Sequence, residues 1–177
     1  MKLRAENVTE ESGQTDAFAF LTPADIEVGL SGVANVIVAS SGVVSKQVTS
    51  AGVTAIYVIV PLSGPLCREE TDRGMKIASI ALSYKIATAA GTAIDGKVYK
   101  MALPADGAAS SATEVASTKD IADASCYDAD EHLVTWTITT PVFIADDEEW
   151  YLLVDLTPAN TTALDVYGAL VKFTRAL

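Results

Sequence analysis

From Lys76 onward, apolar and polar residues alternate along the chain. Ile80, Leu82, Tyr84 and Ile86 share one parity, and Ala81, Ser83, Lys85 and Ala87 share the other. A period of two sends successive side chains to opposite faces of an extended strand, one face buried and one solvated. The pattern returns at residues 97–103, where Tyr99, Met101 and Leu103 alternate with Val98, Lys100 and Ala102. At residues 132–139, His132, Val134, Trp136 and Ile138 alternate with Leu133, Thr135, Thr137 and Thr139, and Pro141 marks the stop. Trp150, Leu152, Val154 and Leu156 form another such set, and Leu164, Val166, Gly168 and Leu170 begin the last. Between them lie turn signals: residues 89–96, the Ala/Ser/Gly-rich loop 104–117, and residues 157–162.

The N-terminal part reads differently. Residues 1–29 start polar and charged, without periodicity, and read as an extended arm. Residues 30–73 are rich in Val, Ala, Gly and Ser, with strands at residues 33–39 and 53–60. The second is apolar on both faces, which predicts cover on both sides, from its own domain or from another subunit. Residues 62–72 read as a connector with room for a short helical turn. The expected architecture is all-β: an antiparallel β-sandwich, jelly-roll-like, over residues 74–177, with residues 30–73 at an oligomer interface and the arm in front. Alternation does not by itself separate a sandwich from a closed barrel.

Composition narrows the function. The chain has 177 residues, half of them hydrophobic, which suffices for one domain with a buried core. With 12 basic and 23 acidic residues the net charge is -11, against any general nucleic-acid surface. The asymmetry is local: Asp123, Asp128, Asp130, Glu131, Asp146, Asp147, Glu148, Glu149, Asp155 and Asp165 fall between Ile121 and Val171 with no Lys or Arg among them. Such a segment either keeps the chain soluble or meets a basic partner. The start lacks the apolar segment that follows the basic residues of a secretory signal, and no stretch is long enough for a membrane helix. The expectation is a chain made in a cytoplasm, with Cys67 and Cys126 as free thiols and the sequons at Asn7 and Asn160 fortuitous.

Candidate chemistry is thin. Gly91 to Lys97 fits GxxxxGK, but Val98 stands where a phosphate loop needs Ser or Thr, and a strand follows where a helix is required. A hairpin loop is the better reading. Asp128-Ala129-Asp130 begins like a calcium loop but lacks its central Gly and closing Glu. His132 has no second His to share a metal and no nucleophile signature to serve; it reads as a core or rim histidine satisfied by a neighbour. Trp136, Trp150, Tyr84, Tyr99, Tyr151 and Tyr167 lie in alternating strands, where aromatics either pack a core or stack on sugars; core packing is the preferred reading. No catalytic, cofactor-binding or metal-ligating residue is assigned, and no cofactor is expected.

The strand order from Ile77 to Ala169, with Val98-Tyr99-Lys100-Met101, the segment from Trp150 to Leu156 and the turn at Asn160-Thr161-Thr162, resembles small β-sandwich virion proteins of tailed bacteriophages. These decorate or cement capsids or form head fibres and tail tips. The resemblance implies a structural, non-enzymatic virion protein that stabilises a shell by binding across capsomers. Its expected partners are copies of itself, as a homotrimer, and a major capsid or other virion protein, without nucleic acid or membrane. The alternative is a carbohydrate- or receptor-binding β-sandwich of a tail tip or fibre. An enzyme built on a jelly roll is the third reading, with only carboxylates to offer.

Overall fold

The computed structural model describes residues 16–29, 35–40, 42–49, 55–72, 74–87, 91–102, 111–121, 128–145 and 147–175. Their strands are β1 (Asp16–Leu21), β2 (Glu27–Gly29), β3 (Val36–Ser40), β4 (Val43–Thr49), β5 (Ile56–Pro61), β6 (Met75–Ile86), β7 (Gly91–Ala102), β8 (Ala112–Val115), β9 (Ser117–Lys119), β10 (Glu131–Val142), β11 (Glu148–Pro158) and β12 (Ala163–Arg175). The described residues hold one helix, α1 (Pro65–Asp72), in the connector.

All pairings are antiparallel, and two sheets result. One runs β3-β4-β12-β6-β10-β9, with β1 also on β12; the other runs β2-β5-β11-β7-β8. The chain crosses repeatedly from sheet to sheet, as in a jelly roll. This is the antiparallel sandwich that the alternation predicts. Three of the parity sets read from sequence are the core: Ile80, Leu82, Tyr84 and Ile86 on β6, Val134, Trp136 and Ile138 on β10, and Leu152, Val154 and Leu156 on β11 are all nearly sealed from solvent. On β7, by contrast, the buried residue is Val98 and not Tyr99. On β12 the bulge at Gly168 switches parity, burying Ala169, Val171 and Phe173 and exposing Leu170.

The N-terminal segments are woven into both sheets. Residues 16–29, read from sequence as part of an arm, supply β1 and β2. Ala19 and Leu21 turn inward against Val171 and Ala169, while Phe18 and Phe20 face out. β4 takes the first half of the β12 edge and β1 the second half. The handover falls at Gly168, where β12 bulges past β6 with φ +148; a Cβ there would lie 2.8 Å from the Leu21 carbonyl oxygen. Only glycine combines that backbone with that approach. Residues 1–15 of the expected arm lie outside the described residues.

Three further readings change. Residues 91–96 extend β7 and do not form a turn, and part of the 104–117 loop becomes β8 and the start of β9. Pro141 does not stop β10, which runs on to Val142.

The two sheets meet tightly where the Trp136 indole of β10 lies on Gly96 of β7. A Cβ on Gly96 would run into the ring. Glycine inside a strand marks such an approach. At the β4 side, Lys46 is buried and donates to the Ile26 carbonyl oxygen at 2.5 Å, with Glu27 Oε2 at 3.4 Å, tying one sheet to the other. At the α1 end, Trp150 N–H donates to Ser63 Oγ at 2.6 Å and Arg68 Nη2 donates to the Glu148 carbonyl at 3.2 Å, fixing the connector to β11.

The Gly96–Trp136 approach generates a prediction. Gly96→Ala should destabilise the fold by about 3 kcal/mol in denaturant unfolding, as an overpacked core does. Trp136→Phe withdraws the clashing ring atoms and also removes a buried indole N–H that has no acceptor among the described residues. The double variant should therefore recover part of the loss, a coupling that a double-mutant cycle measures directly. Simple additivity would show that the contact is not as close as described.

Candidate functional site

The outer face of the five-stranded sheet carries the most suggestive arrangement of side chains. Because inner positions of β5, β7 and β11 are filled by Val58, Val98 and Leu152, the opposite parity must point outward. Register then aligns three rows across the strands. Gly29, Tyr57, Asp155 and Asp95 stand side by side. Glu27, Ile59, Leu153 and Lys97 form the next row. Pro61, Tyr151, Tyr99 and Glu114 form the third. No described element covers this face: Tyr57 is 44% exposed and Ile59 38%.

Tyr99 and Tyr151 stack, with ring centroids 5.7 Å apart and planes 29° from parallel. Lys97 pairs with Glu114 at 3.3 Å; that bond, and next the Glu114 charge, hold the ammonium above its ordinary range. Asp155 behaves in the opposite sense to a paired carboxylate. Partial burial, and then the charge of Asp95 directly opposite, raise it above the ordinary carboxylate value. Its Oδ1 is shielded from solvent and has no hydrogen-bond donor among the described residues. The face thus offers flat rings and two adjacent carboxylates.

The aromatic residues named from sequence divide between the faces. Trp136, Trp150 and Tyr84 pack the core; Tyr99, Tyr151 and Tyr167 are half-buried on outer faces. Sequence reasoning missed Tyr57, because the strand around it is apolar at both parities. The usable signal is that Tyr57 stands out of phase with Ile56, Val58 and Val60.

Other candidates resolve into structure. Gly91–Lys97 lies along β7 with no helix after it. His132 Nε2 lies 3.0 Å from Asp128 Oδ1, its ring packed 5.2 Å from Tyr84, a rim histidine satisfied by a neighbour. The acidic segment does not make one acidic face. Glu131 pairs with Lys85 at 3.6 Å, Asp165 accepts from Ser45 and Gln47, and Glu148 at the far end accepts from Lys100 at 2.8 Å. The Lys100 bond leads in holding Glu148 below the ordinary range, with the Trp150 indole N–H adding to it. Among the described residues no three His, Cys, Asp or Glu converge as a metal site, and no helix is long and apolar enough to cross a membrane. Asp123, Asp146 and Cys126 lie outside the described residues.

No protein-family model matches the sequence, and no curated protein does. Solved structures with a similar outline include the CBM22-1 xylan-binding domain of Paenibacillus barcinonensis Xyn10C, at 14% identity over 93% of this chain and 99% of that one, TM-score 0.44. The family 11 carbohydrate-binding module of Clostridium thermocellum Lic26A-Cel5E shares 12% identity over 91% and 96%, TM-score 0.42. The family 30 module of Cel9D-Cel44B from the same organism shares 9% over 92% and 98%, TM-score 0.37. With so few residues in common, this chain's own side chains must carry any functional reading.

Two tests follow from the titratable groups. Cys67 is fully buried, and burial, with the Glu70 charge second, pushes its thiol up to about 12. In a Cys126→Ser variant at pH 8, Cys67 should react with a disulfide reagent only when the chain unfolds; rapid labelling of the native state would contradict its burial. Asp155 titrates higher in the fold than unfolded. Its contribution to stability is therefore greatest below the ordinary carboxylate range and is lost as pH rises through its raised value. Asp155→Asn should raise the melting midpoint at pH 7 by roughly 1 °C, the scale of a screened like-charge pair, and the gain should vanish by pH 3.

Proposed function

We propose that the protein is a non-catalytic carbohydrate-binding β-sandwich that takes a neutral polysaccharide on the outer face of its five-stranded sheet. The observation that carries this is the Tyr99–Tyr151 stack on an open sheet face, two rows along the strands from the adjacent Tyr57 and Asp155. Sugar rings present C–H faces that lie flat on aromatic rings and a rim of hydroxyls that donate to carboxylates. Tyrosine suits such a surface because it is apolar in body and polar at the tip. Tyr57 and Tyr151 lie on adjacent strands and are separated by about four residues along them, roughly 13 Å. A ligand of several linked rings running along the strands would reach both. The net charge of -11 disfavours uronate or sulfated polymers, which would meet like charge.

A second reading is favoured by a different feature. The hairpin of β3 and β4 is apolar and uncharged at its tip, which suits the structural virion subunit that the strand-order resemblance implies. Co-sedimentation with phage shells tests that reading.

For the carbohydrate reading, affinity electrophoresis through gels containing soluble xylan, glucomannan or β-glucan should retard the protein in at least one. Tyr151→Ala and Tyr57→Ala should each weaken binding about tenfold, near 1.4 kcal/mol, with the fold intact. Unretarded migration in all three gels, or tyrosine variants that bind as well as the parent, would defeat the reading.

A further inference from the structure

A sheet edge presents unpaired N–H and C=O groups, and proteins protect such edges with short strands or charges. Four of the edges here follow that rule. β2 carries Glu27, β8 carries Glu114, β9 carries Lys119, and β1 begins at Asp16, which pairs with Lys172 at 2.7 Å. β3 does not. Its sequence is Val36-Ile37-Val38-Ala39-Ser40, and residues 35–45 contain no Asp, Glu, Lys or Arg. Among the described residues, its edge away from β4 has no strand beside it.

Among the described residues, the tip of the hairpin also lacks full cover. Ile37 and Val44 share a face with the buried Lys46 and Val48, yet they are 53% and 47% exposed, so the second sheet does not reach over them. On the opposite face Val36 is 59% and Val43 54% exposed. The tip of the hairpin is thus an uncharged, β-branched edge, apolar on the face of Ile37 and Val44; on the other face Val36 and Val43 are exposed, while Val38 is half-buried and Ser45 is buried and bonded to Asp165.

We infer that this edge pairs with the same edge of a second copy, β3 against β3 in antiparallel register about a twofold axis at Val38. Two arguments single out a second copy. The register is self-complementary: with Val38 facing Val38, Ile37 of each copy faces Ala39 of the other and Val36 faces Ser40. Ile37, Ala39 and Val44 of both copies then close one apolar cluster, and Val36, Val38 and Val43 close the other. Charge agrees with this. Two chains of net charge -11 repel over most of their surfaces, and this uncharged hairpin is where they meet with least repulsion. An isologous contact of this kind gives a closed pair, not the trimer that the sequence resemblance implies. The inference stands apart from the carbohydrate reading, because the proposed sugar face lies on the other sheet and stays open in the pair.

Sedimentation equilibrium of the full chain at micromolar concentration should give twice the 18.5 kDa chain mass. Val38 points away from the sandwich core. Val38→Lys and Val38→Glu should therefore keep the native circular dichroism and each sediment as a monomer. An equimolar mixture of the two should regain the doubled mass, because opposite charges then meet on the axis. A parent chain that stays monomeric would overturn the inference, as would a Val38→Lys variant that remains dimeric or a mixture that stays monomeric. If a charge at 38 unfolds the chain, Val36→Lys makes the same test; unfolding of both would place these side chains in the core and equally overturn the proposal.

Discussion

The fold depends on bringing the inner faces of two sheets into van der Waals contact without leaving space between them. Where the indole of Trp136 crosses the gap, the facing position must have no side chain, and Gly96 supplies it. The largest fully buried side chain of the protein thus rests on backbone of the opposite sheet. Around this point the core is filled mostly by Ile, Leu and Val. Backbone constraint appears again at Gly168, which lets β12 bulge and accept β4 and then β1 along a single edge.

That constraint explains what could be read from the residues and what could not. Strands in which one parity is strictly apolar, such as Ile80 to Ile86 or Trp150 to Leu156, declare both their structure and their buried face. The first half of β7 hides, because the Gly91 and Gly96 that resemble a turn both lie in the strand, and Gly96 is demanded by Trp136, a partner far away in sequence. β1 hides for the opposite reason: Phe18 and Phe20 are as apolar as Ala19 and Leu21, so alternation by burial leaves no alternation by hydrophobicity. β8 and the start of β9, in a segment of Ala, Ser and Thr, carry too little apolar signal to stand out from a loop.

The candidate face was less legible still. Parity predicts that Tyr99 and Tyr151 point to the same side as Lys97 and Leu153 in their own strands. It does not say that Tyr99 lies beside Tyr151, or that Asp95 lies beside Asp155. Those facts belong to register, which is fixed by the whole sheet. Asp155 illustrates the point. In sequence it is one more carboxylate in an acidic segment. In the sheet it faces Asp95 on one side and Tyr57 on the other, and its Oδ1 has no donor among the described residues.

The segment rich in valine and alanine shows how one composition can serve two ends. Its strand at Ile56–Pro61 is apolar at both parities, and the expectation was cover on both sides. One parity is indeed sealed in the core, while the other shows Tyr57 and Ile59 to solvent. A monomer that needed only stability would gain by making those outward positions charged, since exposed apolar surface invites association. That the chain keeps Tyr57 and Ile59 in the open on a face whose charges are mostly carboxylates, and leaves the β3 edge without charge, is most simply understood if each surface meets something uncharged. A sugar polymer satisfies that condition on a flat sheet face; a strand satisfies it at an open sheet edge.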